Sequence, residues 1–166
     1  MALKMTYDPN KLLNDALRIE KAIISRMQFI GEKFVSDARS QPQPSSDWKK
    51  GQIGPKEHFY KDRTANLRSS LGYFILKDNT VIGGNVDGTA KGKEEAKAIL
   101  MDIPTRSGIR LVGVAGMNYA SAVESLGYNV ISTQSIVAVD DLHKQMLALA
   151  KKTGKKTDLL DDLTIH

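Results

Sequence analysis

Apolar residues recur at spacings of three and four near the start of the chain and predict one long helix. Asp8 suits the cap of that helix and Pro9 its first turn, and the pattern runs to about Arg39. At ~1.5 Å per residue such a helix is roughly 45 Å long, more than a compact domain of this size needs. We therefore expect it to project or to pack against a neighbouring subunit. The apolar stripe comprises Leu12, Leu13, Ala16, Leu17, Ile23, Ile24, Met27, Ile30, Phe34 and Ala38.

The stretch from Gln41 to Asp62 has no apolar period. Pro42 and Pro44 stop the helix, and the segment holds Trp48, the only tryptophan of the chain. Loops of this length inside a compact domain are usually functional. The sequence predicts a long mobile loop over residues 41–62 that contacts a neighbouring molecule.

After the loop, short runs rich in β-branched and aromatic residues alternate with helical patterns and turn signals. We predict a hairpin turning at Asp78-Asn79, and a last helix capped by Asp140 or Asp141 that runs to about Lys152. The other predicted elements are a helix over Arg63–Ser70 capped by Asp62 or Thr64, strands Leu71–Leu76 and Thr80–Ile82, a loop over Gly83–Gly92, a helix over Lys93–Asp102, a strand over Ile109–Ala115, a helix over Asn118–Leu126, and short strands or extended segments over Tyr128–Ile131 and Ser135–Val139.

This order of elements predicts an α+β fold. A small, mainly antiparallel sheet would be covered on one face by helices, including the long N-terminal helix and the C-terminal helix. The 166 residues suit one domain. We place that domain at residues 1–152 and a polar C-terminal tail at residues 153–166.

Composition narrows the classes of function. Hydrophobic residues make up 41% and the formal net charge is +5, as in an ordinary soluble globular protein. The absence of cysteine excludes disulfides, thiolate metal sites and cysteine nucleophiles. The sequence shows no signal-peptide pattern and no apolar run long enough to span a bilayer. We expect synthesis in the cytoplasm and no membrane partner.

Candidate chemistry is sparse. His58, His143 and His166 lack metal-ligand spacing. The glycine-rich run Gly83–Gly88 matches neither a dinucleotide fingerprint nor a P-loop, and the carboxylates form no obvious acid–base pair. The sequence thus predicts a non-enzymatic protein with no catalytic, cofactor-binding or metal residue and no cofactor. A hydrolase or nuclease with a dispersed site is a further alternative.

Basic residues concentrate between Lys49 and Arg68. With Trp48, Phe59 and Tyr60 interleaved, this stretch could contact phosphates and stack on bases. A small nucleic-acid-binding module is therefore the main alternative function, although no recognised binding motif is present.

Two segments together resemble a known family. The first is Tyr60–Tyr73, with Thr64, Asn66, Leu67, Arg68 and Ser70 as its matching positions; the second is Val112–Val130, with Tyr119, Ala120, Val123, Glu124 and Gly127. The pair resembles the small tail-completion, or head–tail joining, proteins of tailed bacteriophages, also called neck or minor tail proteins. Ala65 stands where that family usually has glycine, which argues against a tight turn at this position.

The resemblance implies a structural virion protein without enzyme activity. It implies a homo-oligomeric ring, typically a hexamer, between the neck or connector and the tail tube, with those proteins as partners and DNA only incidentally near. Charged residues on separate segments would suit the head-to-tail contacts of a ring. The candidate interface residues are Trp48, Lys49, Lys50, Arg63, Arg68 and Glu124.

Overall fold

A computed structural model describes residues 8–41, 60, 62 and 64–153. The predicted loop 41–62 and the predicted tail 153–166 therefore lie almost entirely outside the described residues. The elements are α1 (Pro9–Arg39), α2 (Asn66–Ser69), β1 (Leu71–Lys77), β2 (Thr80–Val86), α3 (Ala90–Ile99), β3 (Ile109–Ala115), α4 (Ala120–Ser125) and α5 (Ser132–Thr153).

The α+β class is confirmed. The sheet has the order β2-β1-β3, and β1 pairs antiparallel with both neighbours. Alternate residues of β1 point to opposite faces. Tyr73 and Ile75 pack with α1 and α5, whereas Phe74 packs with Ala96 of α3. Helices thus cover both faces of the sheet, and the expectation of one covered face is wrong.

The long helix α1 has the predicted bounds. Asp8 caps it by accepting a hydrogen bond from the Asn10 N–H, 3.0 Å away. The helix crosses the sheet so closely that a Cβ at Gly31 would lie 2.4 Å from the Tyr73 ring. Glycine in the middle of this helix therefore permits the contact between α1 and β1, which outweighs its poor helix propensity.

The start of the last helix was predicted wrongly. Ser135–Val139 belongs to α5 rather than to a strand or extended segment, and Tyr128–Ile131 is not part of a strand. Asp140 and Asp141 lie inside the helix and do not cap it. The physical reason is that the apolar stripe of α5 begins earlier than expected. Ala138 belongs with Leu142 to the cluster that α1 forms with the sheet. Burial on that stripe overrides the β propensity of the branched residues.

The predicted glycine loop is instead the end of one strand and the start of a helix. β2 continues through Gly83 and Gly84 to Val86, where a Cβ at Gly84 would lie 2.5 Å from the Tyr73 carbonyl oxygen. Thr89 then caps α3 by accepting a hydrogen bond from the Gly92 N–H at 3.1 Å. Glycine here serves close backbone approach within the sheet, a role that a composition-based prediction of loop misses.

Candidate assembly surfaces

The two segments that carry the family resemblance meet in the structure. One buried cluster contains residues of both segments. The first segment contributes Tyr60, Leu67 and Leu71, and the second contributes Ala120, the first residue of α4, and Val130, which follows that helix. A second contact joins Thr64 to Tyr119. Burial raises the pKa of Tyr119, the Asp62 carboxylate raises it further, and the hydrogen bond with Thr64 acts in the opposite direction. Both segments therefore build one part of the core.

Arg68 is held inside this junction. Its guanidinium lies over the Tyr60 ring, 5.4 Å from the centroid, and donates to the Arg39 carbonyl at 2.9 Å and to that of Gln41. Its backbone N–H donates to the Asp62 Oδ2 at 2.8 Å. Asp62 thus supplies an acceptor for the first turn of α2, although Ala65, and not the predicted Asp62 or Thr64, occupies the cap position. These bonds give Arg68 a role within the chain; an ion pair with a second subunit stays a prediction.

Glu124 also has partners within its own chain. Its Oε1 accepts hydrogen bonds from the backbone N–H groups of Val130, Ile131 and Ser132, at 3.2, 2.9 and 3.0 Å, and from the Ser132 hydroxyl at 2.9 Å. Partial burial raises the pKa of this carboxyl, but the four bonds outweigh burial and leave the pKa below its ordinary value. Glu124 therefore caps the start of α5, where the helix dipole also favours a negative charge.

The other interface candidates, Trp48, Lys49, Lys50 and Arg63, lie outside the described residues. The beginning of the predicted loop is nevertheless fixed. Gln41 is buried, and its side-chain amide donates to the Val130 carbonyl at 3.2 Å and to Gln134 Oε1 at 3.0 Å. The chain therefore leaves α1 from a defined point beside the start of α5.

Arg39 was not among the sequence-predicted residues. Its guanidinium donates to three carbonyl oxygens, those of Arg68 (3.1 Å), Ser69 (3.2 Å) and Leu71 (2.7 Å), and lies 3.2 Å from Asp87 Oδ2. It ties the end of α1 to the entry of β1. A basic residue in the last turn of a helix is common, so only the fold reveals these partners.

The outer side of β2 forms the first candidate surface. Within the described part of the chain β2 pairs only with β1, and its Val81 and Ile82 are 47% and 40% exposed. An open groove of about 420 Å³ runs between β2 and α3. We call these features together the β2 edge. The groove is lined by Phe74, Val81, Gly83, Gly84, Val86, Lys93 and Lys97.

The first half of α1 forms the second candidate surface. The stripe that is buried at Met27 and Ile30 (7% and 2% exposed) continues towards the start of the helix, where Leu12, Leu13 and Leu17 are 58%, 59% and 46% exposed. Together with Ala16 these residues lie on the same side of the helix as the core residues. We call Leu12, Leu13, Ala16 and Leu17 the exposed stripe.

Other kinds of site find little support in the described ranges. They hold no group of three or more His, Cys, Asp or Glu side chains placed to bind a metal ion. None of their helices is both long and apolar enough to cross a membrane. His143 lies on α5, whereas His58 and His166 are outside the described residues.

No family model matches the chain, and neither a curated protein nor a solved structure is significantly similar to it.

Proposed function

We propose that the protein is a structural subunit that assembles with copies of itself into a ring, as a tail-completion or head–tail joining protein of a tailed phage does. The proposal places it in the virion, between the neck or connector and the tail tube, and gives it no enzymatic step. The family in this proposal comes from the two sequence segments described above. Their packing into one cluster supports treating them as one unit.

The observation that carries self-assembly is the β2 edge. An outer strand presents a row of backbone donors and acceptors that another chain can pair with. Proteins that stay monomeric usually block such strands with charged side chains or proline. β2 has neither, and its residues Val81 and Ile82 are apolar and exposed, although the pairing of β2 with β1 is irregular at Ile82.

A ring needs two different surfaces that meet head to tail. β3 is the opposite outer strand of the same sheet, and no further strand pairs with it in the described residues. Pairing of β2 in one copy with β3 of the next would continue the sheet from subunit to subunit.

The test is the mass of the full chain in solution, measured by light scattering over a range of concentrations and followed by negative-stain imaging. We expect discrete rings in the wild type and monomers in Val81→Lys, because a charge pointing into the β2 edge opposes strand pairing. Thr80→Lys is the matched control, since Thr80 is also exposed but lies at the hairpin turn. Monomers in the wild type at every concentration would contradict self-assembly.

The nucleic-acid alternative has its own readout. The basic residues that suggest it lie mostly outside the described residues, so it stays a prediction from the sequence. A shift of labelled DNA that weakens steeply with salt would favour it over the ring, because phosphate contacts release counterions.

A further inference from the structure

The exposed stripe of α1 is the continuation of an interface that is already formed. α5 covers the second half of α1, and both helices contribute to one buried cluster that includes Met27, Ile30 and Leu142. Nearer the start of α1 the same side of the helix has no cover among the described residues. The apolar surface therefore extends beyond the point where α5 ends at Thr153.

The register between the two helices is antiparallel. Gln41 at the end of α1 bonds Gln134 in the first turn of α5 at 3.0 Å, and Lys33 forms an ion pair of 2.8 Å with Asp141. From the first of these contacts to the second, the position on α1 decreases by about as many residues as the position on α5 increases. Continued beyond Thr153, this register brings position 154 level with Glu20 and position 166 level with Asp8.

The sequence that follows Thr153 has the composition to cover the stripe. Leu159, Leu160 and Leu163, here called the tail leucines, have the i, i+1, i+4 spacing of one helical side, and the exposed stripe has the same spacing. In the continued register the tail leucines fall level with residues 11–16.

In the continued register Lys155 falls one position from Glu20, which already forms an ion pair with Lys77, and Lys156 falls level with Arg18. Asp161 and Asp162 fall within two positions of Lys11. Exposed ion pairs stabilise by only about 0–1 kcal/mol each, so charge contributes little to this contact. Burial of the leucines supplies the driving force, at roughly 25 cal/mol per Å² of apolar surface.

We propose that residues 154–166 pack along the first half of α1 in the same chain, antiparallel to it, with the tail leucines against the exposed stripe. The occupant is this chain's own C-terminal segment, because the end of α5 already lies beside the point where the stripe becomes exposed. The proposal is independent of ring formation.

The absence of cysteine in the chain allows a clean test. Leu13→Cys and Leu160→Cys together create the only two thiols, and both positions lie on the proposed contact. Asn14→Cys with Leu160→Cys is the matched control. It keeps nearly the same level along the helix but turns the first thiol about 100° around α1, away from the exposed stripe. Both variants are oxidised under mild conditions as the full chain and run on non-reducing gels.

We expect Leu13→Cys/Leu160→Cys to form a disulfide within one chain at least about tenfold faster than the control pair, because docking raises the effective concentration of the two thiols. Equal rates for both pairs would overturn the proposal. A disulfide found only between two chains would also overturn it, since the stripe would then be covered by a second copy. All positions changed on α1 are exposed, so folding is preserved. The disulfide within one chain is scored in the monomer band and the disulfide between chains in the dimer band, and the denaturing gel removes any contribution from ring assembly.

Discussion

Arg39 and Arg68 each donate a guanidinium hydrogen bond to the backbone carbonyl of the other, at 3.1 Å and 2.9 Å. The exchange joins the last turn of α1 to α2, and Leu71 at the start of β1 accepts a further bond from Arg39 at 2.7 Å. Two like charges can lie this close because backbone carbonyls and the Tyr60 ring face their guanidinium groups. The pair thereby fixes the end of α1 against the entry to β1.

Arg39→Lys should lower the free energy of unfolding by about 1–3 kcal/mol, because an ammonium group cannot reproduce a planar fork that reaches three carbonyl oxygens. The measurement is urea unfolding followed by circular dichroism. Arg18→Lys is the control, since the Arg18 side chain is 81% exposed and lies 3.6 Å from Asp15 only. An equal, small effect of both changes would contradict the role given to Arg39.

Glu124→Gln should lower stability by about 1–2 kcal/mol at neutral pH, because the amide oxygen accepts the four bonds without the help of a charge. The folded-state pKa of Glu124 lies below its ordinary value of 4.5. Its contribution is therefore fully present above the unfolded-state pKa and is lost as the pH falls through the folded-state pKa.

Unfolding of Glu124→Gln measured between pH 7 and pH 3 should accordingly show a shallower loss of stability towards acid than the wild type shows. Glu94→Gln, on the exposed side of α3, should leave that slope unchanged. Parallel pH profiles for wild type and Glu124→Gln would show that the carboxylate charge does not stabilise the start of α5.

Ala65→Gly should stabilise the protein by about 1 kcal/mol. Ala65 has a φ of 56°, in the left-handed region that costs a residue with a Cβ about 1–2 kcal/mol, and part of the gain is offset by the greater freedom of glycine in the unfolded chain. Thermal unfolding checks the sign. Ala98→Gly, within α3 and exposed, should instead destabilise by up to about 1 kcal/mol.

Gly31→Ala should destabilise the protein by about 1–3 kcal/mol, because the added Cβ would overlap the Tyr73 ring that now lies against the helix. The same change in an isolated helix would be favourable. Gly83→Ala provides the contrast, since its Cβ would meet no atom nearer than 3.7 Å. Equal unfolding midpoints for the two variants would show that α1 can shift away from the sheet at little cost.

Much of the fold was predictable where local signals agree. The cap at Asp8 and the apolar period predicted α1 from Pro9 to Arg39, and alternation predicted β3 at Ile109–Ala115. The turn at Asp78-Asn79 was also predicted, and both residues have positive φ as such a turn requires. In each case pattern and turn chemistry point to one structure.

Elements that depend on distant partners were not predictable in this way. Ile136, Val137 and Val139 favour a strand locally, but they lie in α5 because the helix packs against α1. At Ala65 the tight left-handed turn is present although alanine argues against it, since the surrounding contacts determine the backbone there.

The candidate surfaces also include features that the sequence predicts and features that only the fold reveals. The sequence predicted that α1 would project or pack against a neighbouring subunit, and the structure leaves the leucines in its first half exposed. Arg68 and Glu124 were predicted as interface residues. The sequence alone does not show whether the partner of a charged residue belongs to the same chain. Their hydrogen bonds to backbone groups depend on chain segments that only folding brings together.

The pairing of α1 with α5 also has a consequence for synthesis on the ribosome. α1 emerges first, whereas α5, its main helical partner, emerges last. At a translation rate of about 5–20 residues per second, α5 is synthesised roughly 5–20 s after the apolar side of α1 around Met27 and Phe34. During this interval the nascent chain exposes the apolar side of α1, so the yield of folded protein in the cell should depend on chaperones that bind this helix until α5 emerges.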